Sequence, residues 1–213
     1  MMSTGVAAWL ALGLYGAGLV AAFVNRSWVH RRRTGSSGFR GISGPIGSLE
    51  WWGGVLFAAA LVLGSLGPAL ALSGTVEVFA WTPGWLSWVG LLAVAAAMVG
   101  VLIAQGGMGS SWRIGVDASE RTDLVTSGPF AKIRNPVFSA MVTALLGMML
   151  MVPGVVTMAA LLALVVAVEL QVRFVEEPYL VRVHGKAYLT YARTAGRFVP
   201  GVGRLAGVVE PDR

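Results

Sequence analysis

The chain has 213 residues, of which 56% are hydrophobic and only 12% charged, and its formal net charge is +6. Soluble domains carry about a quarter charged residues, so this composition excludes an ordinary soluble protein and indicates an integral membrane protein. Cysteine is absent, which excludes disulfides and thiolate metal sites. The two histidines, His30 and His184, are far apart in sequence and no carboxylates are grouped, so we expect no metal site.

Three uncharged apolar segments, 5–24, 51–72 and 85–105, reach the roughly 20 residues that a helix needs to cross a bilayer. Basic residues follow the first segment, at Arg31, Arg32 and Arg33, and none precedes it. This order is typical of an anchor with its N-terminus outside, and not of a cleavable signal peptide.

The fourth apolar segment, 137–168, would be about 48 Å long as one helix, which exceeds the roughly 30 Å of the hydrocarbon layer. Pro153 and Gly154 form a strong turn signal near its middle. We therefore predict two helices, about 137–152 and 155–175, which form a tight hairpin.

Charge supports the hairpin, because five spans place all 16 lysine and arginine residues on one side, in agreement with the positive-inside rule. The predicted fold is an all-α integral membrane protein of the plasma membrane with five transmembrane helices. Its N-terminus is outside, its C-terminus is cytoplasmic, and its last two spans form the hairpin. The basic excess is then an orientation signal, and no nucleic-acid partner is expected.

The predicted cytoplasmic parts are 25–50, 106–136 and 176–213, whereas the outer loop 73–84 carries only Glu77. We divide the chain into an N-terminal part, 1–105, with three spans and a basic loop, and a catalytic half, 106–213. The second part holds a cytoplasmic loop, the hairpin and a C-terminal interfacial helix.

The stretch LVTSGPFAKIRNPVFSAMV, 124–142, changes from a polar loop to an apolar helix. Asn135 and Pro136 are favourable as N-cap and first helical residue. Two interpretations stay open here: simple capping, or an anion site in which Arg134 adds a charge to the helix N-terminus.

The stretch ELQVRFVEEPYL places Glu169, Arg173, Glu176 and Glu177 three and four residues apart, on one helical face. Ionisable residues within a span often mark function, although a self-neutralising pair at a helix end is the alternative. Further on, an apolar stripe predicts a helix that lies on the membrane surface; its residues are Leu180, Val183, Ala187, Tyr188 and Tyr191. The predicted topology brings these stretches to one face, which indicates a site for an amphiphilic ligand.

In order and spacing, these stretches resemble the isoprenylcysteine carboxyl methyltransferase family, which includes bacterial relatives and is similar to phospholipid N-methyltransferases. The residues that match are Leu124, Val125, Thr126, Gly128, Phe130, Arg134, Pro136, Phe138, Glu176, Glu177, Leu180, Gly185, Tyr188, Tyr191 and Pro200. Asn135 stands where the family usually has histidine, and Phe138 where it commonly has tyrosine.

The resemblance implies an S-adenosylmethionine-dependent methyltransferase whose active site faces the cytoplasm. Its acceptor would be lipophilic, delivered from the bilayer, with a carboxylate as the favoured acceptor group and an amine as the alternative. By the same resemblance, Arg173 is the catalytic candidate that meets the acceptor carboxylate; Arg134 is the alternative residue that could hold the acceptor. The implied cofactor-binding residues are Leu124, Val125, Phe130, Asn135, Pro136, Val137, Phe138 and Glu176.

Two other functions remain open at this point. Sterol-type reductases have a related C-terminal architecture and use NADPH, and a non-catalytic lipid-binding protein would need neither cofactor. Oligomeric state has no sequence signal.

Overall fold

The predicted helices are present in the computed structural model of the chain, which describes residues 2–35, 37, 41–79, 83–109 and 123–205. Parts of the predicted loops 25–50, 73–84 and 106–136, and of the C-terminal part 176–213, lie outside these described residues. Within them there is no β-strand, and the two isolated bridges pair Ile133 with Gly196 and Val199 with Val202. The predicted all-α class is confirmed.

Eight α-helices follow one another in the described part of the chain. They are α1 Thr4–Leu19, α2 Arg26–Thr34, α3 Leu49–Leu72, α4 Leu86–Met108, α5 Pro136–Met151, α6 Val155–Leu170, α7 Glu177–His184 and α8 Lys186–Thr194. A first π-helical segment, Val20–Asn25, joins α1 to α2, and a second, Gln171–Glu176, joins α6 to α7. A 3₁₀ turn, Gly128–Ala131, precedes α5.

Four helical stretches are long and apolar enough to cross a membrane, and they are Thr4–Arg32, Leu49–Leu72, Leu86–Met108 and Val155–His184. The fifth apolar helix, Pro136–Met151, is shorter. Large apolar side chains such as Leu92 and Leu162 are exposed on these helices, as expected where lipid tails surround them. The chain is therefore an all-helical membrane protein.

The predicted break in the fourth apolar segment is confirmed at Pro153 and Gly154, between the end of α5 and the start of α6. The Thr157 hydroxyl donates to the Val152 carbonyl over 2.7 Å and accepts from the Gly154 N–H over 3.1 Å. These bonds satisfy backbone groups of the turn that would otherwise be buried without partners.

The helices of the two predicted parts, 1–105 and 106–213, pack against one another. Helix α3 lies along α6, α4 lies along α5, and α1 contacts α3, α4 and α5. Helices α4 and α5 touch through backbone, because a Cβ added at Gly147 would lie 2.7 Å from the Gly90 carbonyl oxygen. Small residues at helix contacts permit this close approach in membranes.

The predicted surface helix near the C-terminus is divided in two. Helix α6 continues through the second π-helical segment and α7 as far as His184, and Gly185, with φ of +51°, separates α7 from α8. Glycine adopts positive φ without steric cost, so the chain changes direction here. The predicted stripe is thus shared between α7 and α8, where Tyr188 is fully buried.

Candidate active site

One end of the bundle is built by residues far apart in sequence, and we call it the polar end. It consists of residues 123–135, the start of α5, α7, α8 and the C-terminal segment 195–205. The Arg134 N–H donates to the Gly196 carbonyl over 2.8 Å, and the Gly196 N–H donates to the Lys132 carbonyl over 3.0 Å. The chain before α5 is therefore held by the chain after α8.

Arg134 lies at the centre of the polar end with only 2% of its side chain exposed. Its Nη1 donates to the carbonyls of Ala195 and Ala192 over 2.6 and 3.0 Å. Its Nη2 donates to Glu177 Oε1 over 2.8 Å and to the Gly203 carbonyl over 3.0 Å. Both terminal nitrogens thus bond to the protein itself, and Arg134 joins α7, α8 and the C-terminal segment.

Glu177 receives a second arginine from the C-terminal segment. Arg197 donates from Nε to Glu177 Oε1 and from Nη2 to Oε2, both over 2.8 Å, which is the strong bidentate arrangement. The hydrogen bonds with this carboxylate raise the pKa of Arg197 above its usual value. Two guanidinium groups and one carboxylate leave the cluster with a net positive charge, which favours an anionic ligand nearby.

Arg173 is not part of this buried cluster. It forms an ion pair with Glu169 one turn earlier, and 49% of the Arg173 side chain is exposed. The charge of Glu169 also contributes to the raised pKa of Arg197, after the larger effect of Glu177, so the two clusters lie within electrostatic range. The structure thus brings Arg134 and Arg197 together on Glu177, whereas Arg173 pairs with Glu169 outside this cluster.

The predicted single face of four charges is divided for a geometric reason. The second π-helical segment, Gln171–Glu176, lies between Glu169 and Glu177. A π-helix has i→i+5 hydrogen bonds, so residues beyond it are rotated relative to an uninterrupted α-helix. Glu177 is consequently buried, whereas Arg173 is exposed and Glu169 is half-buried.

Four of the predicted cofactor residues, Asn135 to Phe138, form the start of α5, and Phe130 lies in the 3₁₀ turn before it. Phe130 and Pro136 are buried, and the others are half-buried; these are Leu124, Val125, Asn135, Val137, Phe138 and Glu176. Burial raises the pKa of Tyr188, and the charges of Glu177 and Glu176 add to this effect. Glu176 and Arg134 therefore both lie within electrostatic reach of Tyr188.

Asn135 occupies the predicted N-cap position of α5, but its side chain makes no capping bond. Its Nδ2 donates instead to the Arg197 carbonyl over 3.1 Å. One helical turn later, the Ser139 hydroxyl donates to the Phe198 carbonyl over 2.6 Å. Both side chains fix the C-terminal segment against α5, a role that the sequence did not predict.

Tyr191 fixes the 3₁₀ turn, because its hydroxyl donates to the Phe130 carbonyl over 2.7 Å. Burial raises the pKa of Tyr191 to about 12, so the phenol remains a donor at neutral pH. Arg197 and Ser139 were not singled out from the sequence, and Glu177 was grouped there with Glu169 and Arg173 instead of with the buried arginines. Arg197 follows the turn residue Gly196, which is a weak signal.

We expect Tyr191→Phe to lower the free energy of unfolding by about 1 kcal/mol, because one half-buried hydrogen bond is lost. The pKa of Tyr191 in the folded state lies above its ordinary value of 10.0. The difference in the free energy of unfolding between wild type and variant is therefore complete below pH 10.0, and it shrinks as the pH rises toward about 12. Thermal unfolding in detergent at several pH values measures this. Thr194→Ala, which removes an exposed hydrogen bond from the same helix, should change stability little; equal effects of the two variants would contradict the assignment.

An open apolar cleft lies between α1 with its first π-helical segment, α4 and α5. Its lining includes Leu14, Ala22, Phe23, Met98, Leu102 and Met141. Phe23 contacts Phe57 edge to face, and Phe57 contacts Phe138 in the same way, both with ring centroids 6.4 Å apart. Aromatic contacts therefore connect the wall of the cleft to the start of α5.

Two comparisons with known proteins agree with this architecture. The sequence model of the phospholipid methyltransferase family matches residues 85–187. The fold is similar to that of the eukaryotic intramembrane Ras methyltransferase ICMT (isoprenylcysteine carboxyl methyltransferase), with a TM-score of 0.60 and 18% sequence identity over 97% of this chain and 71% of that chain. Among curated proteins, none matches the sequence significantly. The resemblance predicted from the motifs is confirmed by the family match and the shared fold.

Proposed function

From the premise that this chain is an isoprenylcysteine carboxyl methyltransferase-like membrane protein, we propose that it transfers a methyl group from S-adenosylmethionine to a lipophilic acceptor. The acceptor group in this proposal is a carboxylate. The reaction takes place at the cytoplasmic face of the plasma membrane, with five spans and the N-terminus outside. The observation that carries the proposal is that the phospholipid methyltransferase match, residues 85–187, contains every predicted site residue.

The residues of the polar end fit the chemical parts of S-adenosylmethionine. Phe130 and Phe138 offer aromatic faces for an adenine ring or a sulfonium, and the first turn of α5 offers backbone N–H groups to a carboxylate. The half-buried Glu176 offers a carboxylate to a cation or a ribose hydroxyl. When bound, the cofactor supplies an electrophilic methyl group on a positively charged sulfur.

The protein itself has a limited chemical task in this reaction. A carboxylate acceptor with an ordinary pKa near 4 is already ionised at neutral pH, so no general base is needed. The residues around the site align the acceptor and exclude water. In this proposal Arg173, whose side chain is half exposed, holds the acceptor carboxylate through a charge-assisted bond.

Arg134 has a different role in the proposal. Its terminal nitrogens already donate to four protein acceptors, so it acts as a positioning residue that holds α7, α8 and the C-terminal segment around the site. The apolar cleft, whose wall residue Phe23 is connected to Phe138 through Phe57, supports a lipophilic acceptor, because a chain in the cleft remains in an apolar environment.

Calorimetric titration of detergent-purified protein with S-adenosylmethionine and its demethylated product tests the proposal. We expect both to bind, and Glu176→Ala to weaken binding about tenfold or more, as expected for the loss of a contact to a charged group. Glu77→Ala serves as the matched control, because Glu77 is exposed in the loop after α3, away from the polar end. Unchanged affinity in Glu176→Ala would count against the assigned site.

The same titration separates the alternatives. Binding of NADPH without S-adenosylmethionine would favour a sterol-type reductase. Binding of neither, with lipid copurifying, would favour a non-catalytic lipid-binding protein.

A further inference from the structure

The C-terminal segment presents an exposed apolar turn, residues 199–202, at the polar end of the bundle. Val199 is 55% and Val202 63% exposed. Pro200 and Gly201, with φ of +79°, occupy the central positions, which is the residue choice of a type II turn. The Val202 N–H donates to the Val199 carbonyl over 3.1 Å. The apolar turn is therefore preformed, with a valine at each end.

The backbone of the apolar turn is suited to the edge of a lipid layer. Pro200 has no N–H to satisfy, and the Val202 carbonyl accepts from the Arg197 N–H over 2.7 Å. These features reduce the number of backbone groups that lose water when the turn enters the boundary between headgroups and acyl chains. Deeper insertion is excluded, because irregular backbone is not tolerated against lipid in the hydrocarbon region.

The apolar turn lies next to a lipid-facing surface of α5. The Ser139 hydroxyl holds the Phe198 carbonyl over 2.6 Å, and Phe198 packs against the apolar core of the bundle. Thr143 and Leu146 follow Ser139 by four and seven residues, on the same helical face, and both are exposed. The turn thus continues, at the polar end, a face of the bundle that meets lipid.

A cation lies beside the two valines. Arg204 is exposed, and a Cβ added at Gly201 would lie 3.8 Å from Arg204 Nη2. Apolar side chains with an adjacent arginine suit a membrane interface, because the apolar part enters the acyl chains while the guanidinium stays among the phosphates. This charge complementarity identifies a phospholipid surface as the partner of the turn.

We propose that the apolar turn inserts into the surrounding membrane, at the boundary between headgroups and acyl chains of the leaflet at the polar end. Arg197, before the turn, binds Glu177, and the Gly203 carbonyl, after the turn, accepts from Arg134. Lipid contact at the turn would thus hold the C-terminal segment over the charge cluster. This inference goes beyond the proposed function and does not depend on methyl transfer.

Site-directed spin labelling tests the inference, because the chain has no cysteine and each variant carries a single label. The test position is Val202→Cys, and Leu146→Cys is the lipid-facing reference. Thr190→Cys is the water-facing reference, because Thr190 is exposed on α8 between the exposed Lys186 and Arg193. Power saturation in vesicles of phosphatidylcholine and phosphatidylglycerol measures how often each label collides with oxygen and with a water-soluble, neutral nickel chelate.

We expect the ratio of oxygen to nickel-chelate collisions to be several-fold higher at position 202 than at 190, and lower than at 146, as for a shallow insertion. A ratio at 202 equal to that at 190 would overturn the inference and place the turn in water. Protection of 202 from both reagents would also overturn it, because protein, either the residues after 205 or a second copy of the chain, would then cover the turn. Folding of each variant is checked by gel filtration and thermal unfolding, and Val199→Cys replaces Val202→Cys if the latter does not fold.

Discussion

Replacing Arg134 with methionine is expected to lower the free energy of unfolding by about 3–5 kcal/mol, the range for breaking one side of a buried ion pair. The variant removes one of the two arginines on Glu177 and the donor to the carbonyls of Ala195 and Gly203. Thermal and denaturant unfolding of the purified protein in detergent measure the loss.

Arg173→Met is the control for this variant, since it removes the same side chain from an exposed ion pair. Exposed pairs contribute about 1 kcal/mol or less, and both partners here are more than a third exposed, at 49% and 38% of the side chain. Under the proposed function, Arg173→Met should lose methyl transfer while it keeps its stability. Equal stability losses in the two variants would contradict the assignment of Arg134 as the buried positioning residue.

The second large effect is expected from Gly147→Ala, which should destabilise the protein by about 1–3 kcal/mol, as overpacking does. A Cβ at this position would lie 2.7 Å from the Gly90 carbonyl oxygen and 3.0 Å from the Val94 backbone nitrogen. Because both neighbours are backbone atoms, the contact is relieved only if α4 and α5 move apart. Unfolding monitored by tryptophan fluorescence in detergent measures the change.

Gly100→Ala tests the same helix pair with the opposite expectation. Its added Cβ would meet the Ala140 side chain at 3.5 Å, an ordinary contact, and alanine is favoured over glycine in a helix by about 1 kcal/mol. This variant should be neutral or more stable than wild type. If it destabilised the protein as much as Gly147→Ala, close backbone contact at Gly147 would not be the cause.

The helices of the fold were predictable because their signals are local. Apolar length alone identified the spans, and Pro153 and Gly154 marked the hairpin turn. The N-cap position of Asn135 was also predictable, since asparagine before proline is a common helix start.

The π-helical segments had no such signal. In a span that is apolar on all sides, one extra residue in a turn does not change the hydrophobic pattern, so the rotation between Glu169 and Glu177 could not be inferred from spacing. The four charged residues were therefore predicted to share one helical face. In the structure the second π-helical segment divides that face.

The partners of Arg134 were hidden for a different reason. Three of its four acceptors are backbone carbonyls, those of Ala192, Ala195 and Gly203, and every residue has a carbonyl. Only the path of residues 195–205 selects these three, and that path depends on tertiary contacts with the segment before α5. The sequence could indicate that Arg134 belongs to the site, but not that its two terminal nitrogens already donate to protein acceptors.

The order of the chain has a consequence for biosynthesis. Arg134 leaves the ribosome 43 residues before Glu177 and 69 residues before Gly203, a delay of about 3 to 14 s to the latter at ordinary elongation rates. During this interval the Arg134 guanidinium lacks the partners that surround it in the folded protein. The polar end can therefore close around Arg134 only after residues 195–205 have been translated, when the helices of the hairpin have already been made.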